Sequence, residues 1–163
     1  MELIKGRARK YGDNINTDII TPGKYMELSI EDMKKHVMEG VDEHFYKRIQ
    51  KGDILVCENN CGSGSSRETA PIALKASGIN AVVACSFARI FYRNSFNIGL
   101  PALEISEAVS IEENDILEIN LAKGIIKNIT KNEHYKFNPI PPILLDMLEA
   151  GGLVPQLKKQ FGI

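Results

Sequence analysis

Cys61-Gly62-Ser63-Gly64-Ser65-Ser66-Arg67-Glu68 is the stretch that decides the reading of this chain. Ahead of it, Asp53 to Cys57 forms a continuous apolar run, the pattern of a strand buried on both faces. Glycines at 62 and 64 let the backbone turn tightly and come close to a ligand. The stretch then predicts a helix over Ser66–Ala76, with Ser65 as N-cap and Glu68 completing a capping box. Two hydroxyls and a guanidinium would thus stand at a helix N-terminus, where unpaired N–H groups and the dipole favour an anion. Arg67 can grip a carboxylate in a two-pronged way that lysine cannot. The stretch reads as an anion-binding turn with Ser65 as a candidate catalytic serine. The competing reading is a structural cap, because Gly/Ser-rich strand-to-helix turns also occur without a ligand.

Outward from that turn, the pattern is α/β. Ala81–Cys85 is a second apolar strand, Phe87–Asn94 a helix, and Ala102–Ile105 a further strand. Strand, turn, helix, strand, helix and strand in about fifty residues mark a parallel unit whose ligands sit at the carboxyl ends of the strands. Upstream, Ile4–Tyr11 is a strand, and Tyr11 to Gly23 is dense in Gly, Asn, Asp and Pro, so it turns repeatedly. Within it, Asp18-Ile19-Ile20-Thr21 reads as a short anchored element presenting Asp18 and Thr21. Ser29 caps a helix with Met33, Val37 and Met38 on its apolar face. A second short helix covers Glu43–Gln50. These two helices interrupt the strand pattern and are expected to form a lid or flap. Beyond residue 106, Asp115–Asn120 and Gly124–Thr130 alternate as a hairpin, and Tyr135-Lys136-Phe137 is a short strand. A helix over Ile143–Ala150 ends at Gly151-Gly152, and Leu153–Phe161 is a tail that docks or frays. No internal repeat is visible, and residues 1–163 read as a single domain.

Composition narrows the function. A chain of 163 residues, 44% hydrophobic and 25% charged, carries one globular core. A net charge of −1 argues against nucleic-acid or membrane-surface binding. No apolar run approaches the roughly 20 residues of a membrane span, and charges interrupt the N-terminus as they do not in a signal peptide. The cytoplasm is the expected compartment. Cys57, Cys61 and Cys85 are too few, and wrongly spaced, for a disulfide framework or a zinc knuckle. Cys57 and Cys85 fall inside apolar strands, where free cysteine acts as a small hydrophobe. His36, His44 and His134 are expected at the surface.

Three motifs carry a resemblance. Asn16-Thr17-Asp18-Ile19-Ile20-Thr21-Pro22, Gly64-Ser65-Ser66-Arg67-Glu68-Thr69-Ala70 and Ser86-Phe87-Ala88-Arg89-Ile90-Phe91-Tyr92-Arg93-Asn94 resemble, in that order, the small subunits of isopropylmalate isomerases (3-isopropylmalate dehydratases) of the aconitase superfamily. The resemblance covers nearly the whole chain and is least specific after about residue 106. It implies the swivelling β/β/α domain of the aconitase type. It also implies a hydro-lyase that isomerises 2-isopropylmalate and 3-isopropylmalate in leucine biosynthesis by removing water and adding it back at the neighbouring carbon. Ser65 would be the base, Ser66 its helper, Arg67 the carboxylate clamp, and Asp18 and Thr21 substrate-orienting groups. No cofactor is expected on this chain. A 4Fe-4S cluster is expected on a large-subunit partner, without which the chain is inactive, and self-association of the isolated chain stays open.

Tyr25, Met26, Glu27 and Leu28 correspond to the loop that selects the substrate's variable group. No arginine lies between Lys10 and Arg48, and Glu27 would repel an extra carboxylate. An apolar substituent touching Met26 or Leu28 is therefore expected. The central turn departs from many relatives in its cysteine position and in Ser63. The alternatives are a small subunit of 2,3-dimethylmalate dehydratase or homoaconitase, or a non-catalytic anion-binding module. Loop residues 13–28 are expected to be mobile in the isolated chain.

Overall fold

The computed structural model describes residues 3–163, and among them seven strands form one mixed sheet in the order β4-β3-β2-β1-β5-β6-β7. Strands β1 (Ile4–Lys10), β2 (Ile54–Val56), β3 (Ala81–Ala84) and β4 (Ala102–Glu104) run parallel. Strands β5 (Ile116–Asn120), β6 (Ile125–Asn128) and β7 (Glu133–Lys136) continue it antiparallel from the other side of β1. The apolar runs of β2 and β3 have the expected cause. Ile54, Val56, Ala81 and Val83 join one core cluster, while Leu55, Cys57, Val82 and Ala84 join another. Side chains of a strand alternate between faces, so the two clusters lie on opposite sides of the sheet.

The helices fill both sides. Short helices α1 (Thr17–Ile20), α2 (Ile30–Met33) and α3 (Phe45–Arg48) lie between β1 and β2. Helix α4 (Thr69–Ser77) follows β2, and α5 (Arg89–Asn97) follows β3. Helices α6 (Pro142–Ala150) and α7 (Leu153–Phe161) close the chain, so the expected tail is a helix. Gly151 ends α6 in the left-handed conformation, as the sequence predicts.

The region between β1 and β2 corrects the lid expectation. Met33, Val37, Met38 and Phe45 are buried to 1% exposure or less and pack in the cluster with Leu55, Leu74 and Val82. This segment covers one face of the sheet, which would otherwise stay wet. A polar network, buried at Arg9 and Asp53 and open at Arg48, also bolts it down. Arg9 Nε meets Asp53 Oδ2 at 2.8 Å, Arg9 Nη2 donates to the Arg48 carbonyl, and Arg48 pairs with Asp42 at 2.6 Å. Tyr11 donates to the same Asp42 carboxylate at 2.7 Å. Burial and that bond push the Tyr11 hydroxyl well above its ordinary range.

At the carboxyl ends of β1, β2 and β3 the three following loops keep pairing after the strands stop. Asn14 N donates to Asn59 O at 2.9 Å, Gly62 N to Ile15 O at 2.7 Å, and Thr17 N to Ser63 O at 2.8 Å. Cys61 forms a parallel bridge with Phe87, with Cys61 N donating to Ser86 O and Ala88 N to Cys61 O. Phe87 and Ala88 are held extended by this bridge, so α5 starts at Arg89 and not at Phe87. The first loop, expected to be mobile, is therefore tied to its neighbours through its backbone.

Two measurements test this architecture. Phe45→Ala is expected to lower unfolding free energy by about 3–5 kcal/mol in denaturant titration, the cost of emptying a core site. A lid residue would cost within roughly 0.5 kcal/mol. In native-state hydrogen exchange of the isolated chain, the Asn14, Thr17 and Gly62 amides are expected to be as protected as those of β2.

Candidate active site

Gly62 makes the site possible. Its φ is +81°, and a Cβ there would lie 2.1 Å from the Phe91 ring. Only glycine lets the central turn lie against α5. Gly64, at φ +103°, serves the next contact. A Cβ there would lie 3.1 Å from Thr17 Oγ1. With that space open, Ser65 reaches α1: Ser65 N donates to Thr17 Oγ1 at 3.1 Å, and the two hydroxyl oxygens are 3.2 Å apart.

The predicted cap at Ser65 is overturned. Helix α4 begins at Thr69, and neither Ser65 nor Glu68 caps it by a side chain. The reason is Pro71, which has no N–H and whose ring collides with the carbonyl four residues earlier in a helix interior. Proline is accommodated in a first turn, so a helix starting at Ser66 would place Pro71 too deep. Ser65, Ser66 and Arg67 instead stay in an open loop, with both serines exposed. The candidate anion-binding residues are thus positioned by contacts with α1 and not by a helix N-terminus.

Arg67 leans back over that short helix. Its Nη1 donates to the Thr21 carbonyl at 3.0 Å and lies 3.6 Å from Asp18 Oδ1. Those contacts leave Nη2 and Nε of the half-buried guanidinium without a partner among the described residues. Asp18 is largely exposed, and Oδ1 also accepts from Gly23 N at 3.0 Å. Asn16 fixes this element by capping α1, its side chain accepting from Ile19 N at 2.8 Å. The structure therefore brings Ser65, Ser66, Arg67 and Asp18 to one surface.

Thr21 is placed differently. It is fully buried, and its hydroxyl donates to the Thr17 carbonyl at 3.1 Å. Its backbone carbonyl, not its side chain, reaches the site through Arg67. The sequence reading overlooked Thr17, which is 2% exposed and holds Ser65 directly. Residue type alone carries no signal of this, because a sequence shows a hydroxyl without its burial or its direction.

The loop at Tyr25–Leu28 is anchored to the segment after α2. Tyr25 donates to Glu39 Oε1 at 2.6 Å and stacks on His36 at 3.8 Å, and His36 Nδ1 lies 2.6 Å from Glu39 Oε2. Those bonds, from Tyr25 first and then His36, hold the Glu39 carboxyl below its usual range. His36 is consequently half-buried and bonded, not the plain surface residue expected. Met26 is half-buried with its sulfur 3.9 Å from the Thr69 hydroxyl, while Glu27 and Leu28 are exposed. A cleft of about 310 Å³ beside this loop is lined by Asp18, Ile19, Pro22, Lys24, Glu39 and Gly40.

The cysteines do not fit cluster ligation. Cys57 and Cys61 are fully buried, and the Cys61 thiol, then burial, push the Cys57 thiol well above its ordinary value. Protonated, enclosed thiols are poor ligands. Cys85 points elsewhere, its thiol 3.7 Å from the Ser106 carbonyl. Among the described residues no group of three or more His, Cys, Asp or Glu side chains is placed to hold a metal.

Comparison with known proteins places the chain in a family. The aconitase C-terminal domain profile matches residues 2–108, ending before β5. The 3-isopropylmalate dehydratase small subunit of Endomicrobium trichonymphae is 54% identical over 158 residues, 96% of this chain and 97% of that one. Small subunit 1 of the Thermotoga maritima enzyme is 50% identical over 159 residues, 96% of each chain. The crystal structure of a 3-isopropylmalate dehydratase from Methanocaldococcus jannaschii superposes with a TM-score of 0.93 at 45% identity, covering 98% of this chain and 96% of its own. Fold and identity over nearly the full length agree, and the chain belongs to the aconitase C-terminal domain family, among the 3-isopropylmalate dehydratase small subunits.

Proposed function

We propose that this chain supplies the proton-abstracting and carboxylate-binding half of a hydro-lyase active site, acting on 2-isopropylmalate and 3-isopropylmalate in leucine biosynthesis. The observation that carries the reading is the cluster of Ser65, Ser66, Arg67 and Asp18 on one exposed surface, braced from beneath by Thr17. Loss of water from a hydroxy-acid breaks a C–H bond beside a carboxylate and a C–O bond on the neighbouring carbon. Ser65 Oγ, already ionised, takes the proton and becomes the hydroxyl again, the electron pair forms the double bond, and hydroxide leaves the other carbon. Arg67 holds the carboxylate, using the guanidinium nitrogens that Thr21 and Asp18 leave open. The Ser66 hydroxyl and Asp18 orient the rest of the substrate, and Thr21 acts through its carbonyl on Arg67.

The second half of the reaction needs an electrophile for the departing hydroxide. The cysteines of this chain are unsuited to hold one, so we assign that role to a 4Fe-4S cluster on a large-subunit partner, which would supply Lewis-acid assistance to the hydroxyl. The exposure of Ser65 and Ser66 supports the same division. A serine ionises only where preorganised donors act in a dry site, and here water must be excluded by another surface. The substrate's variable group is apolar in this reading. The cleft beside Asp18 offers Ile19 and Pro22 as walls, while Lys24 and Glu39, 3.9 Å apart, offset each other's charge. No helix among the described residues is long and apolar enough to cross a membrane. We expect the assembled enzyme in the cytoplasm.

The test is an assay of this chain mixed anaerobically with its large subunit, comparing isopropylmalate, 2,3-dimethylmalate and homocitrate. Turnover confined to isopropylmalate is expected, and turnover of homocitrate alone would reject the apolar subsite. Ser65→Ala is expected to reduce kcat by at least about 1,000-fold while the subunits still associate. Arg67→Lys is expected to raise KM about 10- to 100-fold, roughly 1.4–2.8 kcal/mol, because lysine replaces a planar fork by a point charge. An unchanged KM would remove Arg67 from the carboxylate site.

A further inference from the structure

We propose that Thr17 is a positioning residue for the reaction, fixing the Ser65 backbone and donating a hydrogen bond to Ser65 Oγ in its proton-abstracting form; this rests on the reading of Ser65 as the base. A threonine hydroxyl has one proton to give and two lone pairs to receive with. The Ser65 amide, 3.1 Å away, can only donate, so it occupies one lone pair of Thr17 Oγ1. The other polar atom within reach among the described residues is Ser65 Oγ, at 3.2 Å. Thr17 is 2% exposed, so water offers little competition for its proton. A deprotonated Ser65 Oγ is an acceptor alone. The Thr17 proton is then directed at it by elimination.

The remaining atoms of Thr17 are fixed as a support requires. Its amide donates to the Ser63 carbonyl at 2.8 Å, and its carbonyl accepts from the Thr21 amide at 2.8 Å and the Thr21 hydroxyl at 3.1 Å. Thr17 thus bonds residues on both sides of Gly64, and the bare Cα of Gly64 lets the two segments close. A donor held this way favours the charged form of its acceptor and needs no reorganisation when charge develops. In the step itself, the substrate C–H bond breaks and the Ser65 Oγ–H bond forms. The electron pair moves into the carbon–carbon double bond as hydroxide departs, and Thr17 keeps its own proton throughout.

The experiment compares Thr17→Val and Thr17→Ser in the assembled two-subunit enzyme. Valine keeps the shape and deletes the hydroxyl, whereas serine keeps the hydroxyl. Thr17→Val is expected to lower kcat by about 100-fold or more with little change in KM, the loss typical of one transition-state donor. The isotope effect with substrate deuterated at the carbon that loses its proton is expected to rise, because abstraction alone has slowed. Thr17→Ser is expected to recover most of the rate. Hydrogen exchange of the isolated chain gives a readout independent of turnover: the Ser65 amide is expected to lose protection in Thr17→Val and keep it in Thr17→Ser. In a Ser65→Ala background, Thr17→Val is expected to cost nothing further. A Thr17→Val enzyme at parental kcat, a Thr17→Ser enzyme equally damaged, or a full second loss in Ser65→Ala would each overturn the inference. An active Ser65→Ala enzyme would instead overturn the reading of Ser65 as base.

Discussion

A missing Cβ at residue 62 is the constraint on which the site depends. The 2.1 Å that would separate a Cβ from the Phe91 ring leaves no room for any side chain. With glycine there, the loop after β2 lies flat against α5 and bridges Phe87 through Cys61. That contact sets the position of Ser63, whose carbonyl takes the Thr17 amide, and Thr17 in turn takes the Ser65 amide. Three segments far apart in sequence become one hydrogen-bonded surface by this route. Sheet ladders end after a few residues, but the extra pairing carries their rigidity into the loops, where functional groups are needed.

Sequence reading recovers the parts governed by local pattern and misses those governed by contact between segments. The strands of the parallel half show as apolar runs because both their faces are buried, and the hairpin from β5 to β6 shows by alternation because one face is wet. The start of α4 was misread because Ser65 and Glu68 have the spacing of a capping box. Pro71 was the stronger signal, since its geometry excludes a helix beginning at Ser66. The segment from α2 to α3 looked like a flap because short helices interrupt a strand pattern. Its burial depends on which sheet face it covers, a tertiary fact that period alone does not encode. Ser65, Arg67 and Asp18 stand out as candidates from their motifs, and the structure brings them to one surface. Thr17 and the inward turn of the Thr21 hydroxyl do not stand out, because sequence identifies a hydroxyl and not its direction.

The environment of Ser65 argues for a site completed by another molecule. Everything below the surface is settled: Thr17 is buried, its bonds are filled, and the core beneath α1 and α4 is closed. Everything above it is open, with Ser65 and Ser66 exposed and Asp18 largely so. In water an ion pair at 4 Å is worth about 1 kcal/mol, against about 4 kcal/mol at the effective dielectric of a protein surface cleft. In its proposed role, the Arg67 guanidinium would therefore hold a carboxylate weakly until solvent is displaced. In the proposed roles of Arg67 and Ser65, covering the site would strengthen the clamp and the serine's donors together, so binding of a partner and activation of the base would be linked by one physical change.

That link also explains why the support must be rigid before the partner arrives. A base whose loop had to be ordered at the same moment as the interface formed would subtract the ordering entropy from the binding free energy. Here the loop after β1 already has its Asn14 and Thr17 amides paired, and α1 is capped by Asn16. Arg67 is likewise held at one nitrogen by Thr21, which leaves Nη2 and Nε unoccupied among the described residues. In the proposed division, the partner would supply exclusion of water and an electrophile, and this chain the base and the carboxylate clamp. Such a division places precision in the small subunit's fold and reactivity at the interface. It accounts for a chain that spends two buried threonines and two glycines on the placement of one exposed serine.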